Sequence, residues 1–237
     1  STYTGATRVL GGTLAIDGSI VSQVNVSGAG TLTGLGAVGS LTAAEGGTIA
    51  PGSVLDSAKM VSTLTVDGDL DQQAGSVYQA GLGSTSDLVD IVGTAAIDSG
   101  AQIELLRQGA PSTDKRYTLL TAAGGVTGTY SGLTGNWVAD TPFVDFSLAY
   151  DPQNVFVDTE RTGTAFAEVG TTFNQRSVAA ASEALGAGNP IHDNILFLTT
   201  PETRSAFSHL SGEIHSSVHS TLLQNSHFVR DAANDRV

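Results

Sequence analysis

Five histidines, His192, His209, His215, His219 and His227, are the only imidazoles in the chain. His215 and His219 are one helical turn apart, a spacing that on a helix can direct two imidazoles at one metal ion. Ser216 stands where the H-E-x-x-H pattern needs its glutamate, and no third ligand accompanies the pair. Polar lining of a pore or helix bundle is the better account of these side chains. Asp67-Gly68-Asp69-Leu70-Asp71 opens with the spacing of a calcium loop, but Gln72 replaces the sixth-position glycine and Tyr78 the twelfth-position glutamate. Solvated turn carboxylates fit that segment better. Gly34-Leu35-Gly36-Ala37-Val38-Gly39 matches the dinucleotide fingerprint, with Asp56 beyond it. That motif works only when a helix follows and aims its N-terminus at the pyrophosphate. Here Gly46-Gly47 and Pro51-Gly52 follow instead, among strand-like residues. No serine occupies a G-x-S-x-G elbow, and no histidine precedes His192 to serve as a base for the hydroxyls of the first part of the chain. Cysteine is absent, which removes disulfides, thiolate metal sites and cysteine nucleophiles together. The expectation is a non-enzymatic chain with no catalytic residue, cofactor or metal.

The elements around these residues explain why they are dispersed. The chain is 40% hydrophobic but only 14% charged, with 29 glycines against 6 prolines, so it has the apolar material to fold but little charge to solvate many helix faces. Short strands joined by tight turns suit that composition. A formal charge of −13 excludes nucleic acid as a partner, because phosphates call for a basic surface. Ser1-Thr2-Tyr3-Thr4-Gly5 is neither basic nor followed by an apolar run, so the expectation is a chain that starts within a longer protein. Nor does any apolar run approach the roughly 20 residues of a membrane-spanning helix.

Glycine divides the chain: beyond Gly135 only Gly163, Gly170, Gly186, Gly188 and Gly212 occur, which places a boundary near 160–170. Before it a theme recurs, Gly11-Gly12-Thr13-Leu14, Ala29-Gly30-Thr31-Leu32, Gly46-Gly47-Thr48-Ile49, Ser62-Thr63-Leu64 and, more loosely, Ala74-Gly75-Ser76-Val77. The Thr-Leu or Thr-Ile pairs at Thr13, Thr31, Thr48 and Thr63 follow one another at short, nearly even intervals. Such a period suggests a solenoid whose turns bury their apolar faces only by stacking. Alternating strands such as Val24-Asn25-Val26 and Leu64-Thr65-Val66-Asp67 run between the glycine pairs.

Residues 101–160 differ. They hold seven of the fourteen aromatics, Tyr117, Tyr130, Trp137, Phe143, Phe146, Tyr150 and Phe156. Asp151-Pro152-Gln153-Asn154 separates the last two strands and reads as a hairpin turn. The open end of a solenoid exposes strand edges and core, and large aromatics closing the last turn would cover both. After Gly163 the pattern turns helical over Gln175–Leu185, Pro201–Leu210 and Glu213–Ala233. The last carries one apolar stripe, Ile214, Val218, Leu222, Val229 and Ala232, on an otherwise polar helix that could cross a membrane only inside a polar pore.

Several segments resemble the autotransporter family of type V secretion. Tyr3 to Leu14 is similar to its passenger-associated repeat, and Gly46-Gly47-Thr48-Ile49-Ala50-Pro51-Gly52 to the element that follows. Asp90 to Ala95, Tyr117 to Ala122 and Val126 to Tyr130 resemble the pertactin-like C-terminal or autochaperone module. Asn174 to Ala181, Leu210 to Ser217 and Phe228 to Ala232 resemble the linker before the translocator barrel. The resemblance implies a right-handed parallel β-helix, a fold of the all-β class, with an aromatic-rich cap and an α-helical tail. Its parts would be a stem over 1–100, a capping module over 101–160 and a helical linker over 161–237. It implies secretion through the outer membrane of a Gram-negative bacterium, with this part folding early and templating the rest at the cell surface or in the medium. The implied partners are the translocator β-barrel of the same polypeptide, expected beyond Val237, and passenger turns upstream of Ser1. An adhesin stem that binds host surfaces or self-associates through solenoid faces is the alternative, and part of a protease whose catalytic domain lies upstream a third.

Overall fold

A computed structural model describes residues 3–52, 61–212 and Leu223. Two compact units divide at Thr162 and Gly163.

The first unit is a stack of successive turns. Turn one holds β1 (Thr7–Ala15) and β2 (Ser19–Ile20), and turn two holds β3 (Val24–Gly34) and β4 (Ala37–Val38). Turn three has three strands, β5 (Leu41–Ala43), β6 (Thr48–Pro51) and β7 (Thr63–Val66); turn four has β8 (Leu70–Gln72), β9 (Val77–Leu82) and β10 (Leu88–Ile91). Turn five contains β11 (Ala95–Ile97), β12 (Gln102–Arg107) and β13 (Lys115–Ala122). The last begins with β14 (Val126–Gly128) and β15 (Leu133–Thr134) and ends in β16 (Val144–Tyr150) and β17 (Asn154–Arg161). Each strand pairs in parallel with its counterpart one turn away, forming two curled sheets, until β17 pairs antiparallel with both β13 and β16. Mostly β, with parallel strands in curled sheets, this unit is compatible with a β-helix solenoid. Residue 100 lies between β11 and β12 of one turn, so the ladder runs without interruption from the expected stem into the expected capping module.

The core is a set of columns running along the stack. One is Leu14, Leu32, Ile49, Tyr78, Ile103 and Leu133. Another runs through Ile20, Val38, Val66, Ile91 and Ala122. Their middle members are fully buried, whereas Leu14, Ile20 and Leu133 at the column ends are half-buried. Alternation along each strand does the sorting: Val24 and Val26 face inward around the outward Asn25, and Leu64 and Val66 around Thr65. Stacking is what buries the apolar face, since a lone turn has no neighbour above or below it.

The first two intervals of the repeat are the true register, from Leu14 to Leu32 to Ile49. The fourth expected repeat is not. Leu64 lies on β7, which pairs with β4 and β10 in the other sheet, and the partner of Ile49 is Tyr78, well past Leu64 in the chain. The loose Ala74-Gly75-Ser76-Val77 motif was the real continuation, with Thr48 opposite Val77. Turn three is longer than the turns before it, and a Thr-Leu pair suits any inward-facing strand, so the motif reappeared on the wrong face. Glycine is required at one corner in particular: Gly46 has φ +74°, and a Cβ there would lie 2.2 Å from the Gly28 carbonyl oxygen.

The second unit contains α1 (Phe166–Val169), α2 (Phe173–Ala184), α3 (Pro190–Leu196) and α4 (Thr200–Leu210). Thr172 Oγ1 accepts from Gln175 N to start α2, and Thr199 and Glu202 form a capping box on α4. Phe166, Ala179, Ile195, Leu196 and Phe207 are its buried centre. Helices were expected over 175–185 and 201–210, but α1 and α3 were not; both are short, and α3 begins at Pro190 just after Gly186 and Gly188, a stretch that reads as loop. The expected helix over 213–233 lies outside the described residues, apart from Leu223. No helix of the described residues is long and apolar enough to cross a membrane.

Candidate functional site

The motifs with apparent chemistry come apart in three dimensions. Gly34 to Gly39 ends β3 and enters β4, so a strand stands where the dinucleotide motif needs a helix. Asp69 Oδ1 accepts from Thr94 N at 2.7 Å and from Thr94 Oγ1 at 2.8 Å, which holds its carboxyl below the usual range and uses it as a turn-to-turn tie. Among the described residues no three His, Asp or Glu side chains form a metal-holding group. His192 is buried, with its ring stacked on Phe166 at 5.3 Å and Nδ1 2.9 Å from Asp193 Oδ1, while His209 is exposed at the end of α4. His215, His219 and His227 lie outside the described residues.

The aromatic residues of turns five and six form the most developed side-chain site of the first unit. Tyr117, on β13, is buried and bonds through its hydroxyl to Ser112, accepting from the backbone N at 2.8 Å; Lys115 Nζ covers its ring at 4.5 Å. Tyr130 is buried, and its hydroxyl donates to Gln72 Oε1 at 2.6 Å, a bond reaching from turn six to turn four. Its own backbone N donates to the Tyr150 hydroxyl at 3.1 Å. Trp137 is buried, with Nε1 donating to Leu105 O at 2.8 Å and its ring meeting Phe146 edge-on at 4.9 Å and 78°. Thr141 Oγ1 closes the loop by donating to Trp137 O. Phe143 is fully buried, with the Arg161 guanidinium 5.8 Å from its ring centroid.

Three of the seven aromatics are only half-buried. Phe146 and Tyr150 lie on β16, an edge strand of its sheet, where each still contacts a buried partner. Phe156 faces outward, since its neighbours Val155 and Val157 take the inward positions of β17. It is covered by Arg116 at 5.0 Å, and Arg116 makes a two-pronged pair with Asp158, both contacts 2.7 Å. That pair holds the Asp158 carboxyl below its ordinary range. The expected hairpin at 151–154 is present. Asp151 Oδ1 accepts from Gln153 N and Asn154 N at 2.8 and 2.7 Å, bonds that hold this carboxyl low as well.

Sequence reasoning met two residues of this site, Tyr78 and Gln72, only as departures from a calcium loop and missed their place here. Tyr78, fully buried in the aliphatic column, donates from its hydroxyl to Leu119 O at 2.8 Å. Gln72 is fully buried and receives Tyr130, while its Nε2 has no partner among the described residues. Burial pushes the ionisation of the Tyr78 and Tyr130 hydroxyls far up, so both are permanent donors. The available signal was an aromatic and an amide at inward positions of alternating strands.

The chain is similar to two extracellular serine proteases. Both come from Serratia marcescens, and the identities are 29% and 26% over 289 aligned positions. The whole of this chain is covered in each case, and it spans 27% of the length of each relative. No family model matches it.

Proposed function

We propose that this chain is a non-catalytic part of a secreted autotransporter passenger, in which the aromatic turns cap a right-handed β-helix and nucleate its folding. The observation that carries the reading is the change of ladder at β13: five turns of parallel pairing end in an antiparallel hairpin, and buried aromatic donors tie that end to turns four and five. Folding of a repetitive stack can nucleate at any turn and propagate from it, so the turn held by the most specific contacts favours the start. The end with the buried side-chain bonds between turns is best suited to it. Similarity over the whole chain to about a quarter of an extracellular protease supports an extracellular location and an effector activity encoded elsewhere in the parent protein. On this reading residues 1–100 are the stem, 101–160 the cap, and 161–237 the link to a translocator barrel of the same polypeptide.

Pulsed hydrogen exchange during refolding of the full chain, read by mass spectrometry, tests the nucleating role. Amides of β12, β13 and β17 are expected to gain protection before those of β1 and β3. Protection appearing first in turns one and two, or in all turns together, contradicts it.

A further inference from the structure

The two ladders end in strands of unlike build. β2, β14 and β15 are two or three residues long, and β1 is interrupted by a bulge after Val9 and by Gly11 and Gly12. β16 differs: its seven residues pair with β17 without a shift and include no proline, glycine or lysine. Its one charge, Asp145, lies near one end with its side chain in solvent. Among the described residues no strand pairs with its other side. Thr162 N donates to Phe143 O and Asp151 N to Asn154 O, so the backbones of Asp145, Ser147 and Ala149 are the ones bonded to β17. The N–H and C=O groups of Val144, Phe146, Leu148 and Tyr150 therefore point away from it. No hydrogen bond from the described residues reaches them. Phe146, Leu148 and Tyr150 are also only half-buried at this edge. Soluble proteins blunt an edge with short strands, proline, lysine or a bulge, and one left long and regular is a template for another strand.

We propose that β16 is an interaction edge for a second copy of this chain, the two strands pairing antiparallel about Ser147. That register sets Phe146 opposite Leu148 of the second copy, Val144 opposite Tyr150, and Asp145 opposite Ala149. All the outward backbone groups then meet outward groups, so each N–H gains an acceptor and each C=O a donor. The side chains on the inner side meet as aromatic–aliphatic pairs, which stabilise a sheet. The two Asp145 carboxylates stay about 13 Å apart, each opposite a neutral residue. A slip of one residue would set outward groups against inward ones, and a slip of two would shorten the joint at both ends. The joint is about 24 Å long, and its small area places it in the weak class, with a dissociation constant on the order of 10–100 µM. It joins two stacks at their capped ends and does not depend on the folding role proposed above.

Sedimentation velocity of the full chain from about 5 to about 500 µM, with salt to screen the −13 on each copy, tests the association. The mass is expected to climb from 24.1 kDa toward twice that value. Leu148→Pro removes an N–H that has no partner among the described residues, so far-UV circular dichroism should stay unchanged while association weakens about ten-fold or more. The chain has no cysteine, so one introduced thiol reads the register. The two Ser147 positions would face each other as a non-hydrogen-bonded pair with Cα atoms about 4.5 Å apart, and Ser147→Cys should cross-link on mild oxidation. Ala149→Cys, about 13 Å from its counterpart, should not. A chain that stays at 24.1 kDa throughout, or a Leu148→Pro variant that folds and associates like the wild type, overturns the proposal. Equal cross-linking of the two cysteine variants does so too. If Leu148→Pro does not fold, the cysteine pair decides alone.

Discussion

Turns one to three and turns four to six share one ladder but specify it differently. In the early turns the inward residues are aliphatic and nearly interchangeable: Leu14, Leu32 and Ile49 follow one another in a single column at almost equal intervals. A slip of one turn there replaces leucine by isoleucine and costs little. The later turns place polar tips inside the core, and each finds one partner one or two turns away: Tyr78 with Leu119 O, Trp137 with Leu105 O, Tyr130 with Gln72. The same slip there leaves buried donors and acceptors unpaired, at about 1–3 kcal/mol each. Repetition builds the stack, and the aromatic hydrogen bonds fix which turn lies on which.

The contrast is sharpest at Trp137. Trp137→Ala removes a buried ring, its edge contact with Phe146 and the bond to Leu105 O, and is expected to cost ~3–5 kcal/mol. The midpoint of the strand-rich transition should fall by roughly 10 °C. Leu32→Ile, in the aliphatic column, is expected to cost less than ~1.5 kcal/mol. Urea unfolding of the two variants in the full chain measures both, and equal losses would remove the distinction between the halves.

Much of this was legible in the sequence, for identifiable reasons. The early register was readable because the turns are short and glycine pairs mark their corners, as at Gly46-Gly47. The hairpin at Asp151 was readable because turn chemistry is local. Tyr117, Tyr130, Trp137 and Phe143 could be expected inside from their size alone. Register beyond Ile49 was not readable, because the later turns, marked by the column Leu41, Leu70, Ala95 and Val126, differ in length and share no common period. Nor were the partners of the polar tips. Tyr130 and Gln72 lie far apart in the chain, and nothing local in either segment points to the other. Phe156 shows a further limit, since strand parity around Val155 and Val157 turns an apolar ring outward.

A smaller effect tests whether the register bond acts as a pair. Tyr130→Phe leaves Gln72 Oε1 buried without its donor, beside an Nε2 that already has no partner among the described residues. It is expected to cost ~1–3 kcal/mol. Gln72→Leu alone strands the Tyr130 hydroxyl at similar cost. The double variant removes both polar groups and should lose less than the sum of the two, by at least ~1 kcal/mol, in equilibrium urea unfolding. Additive losses would mean that each residue acts through packing and that register is set elsewhere.

The smallest effect belongs to the outer face of the later turns. Arg116 and Asp158 make a pair with ideal geometry, yet 57% of the Arg116 side chain and 31% of the Asp158 side chain are open to water. Solvent and salt screen such a pair, and the guanidinium's cover over Phe156 is lost with it. Arg116→Ala is therefore expected to move the unfolding midpoint by under about 2 °C in low salt and by less in about 0.5 M salt, which differential scanning calorimetry resolves. Its bonds are as short as those to the buried polar tips of the stack, so a shift as large as that of Tyr130→Phe would show that geometry rather than burial decides which contacts between turns matter.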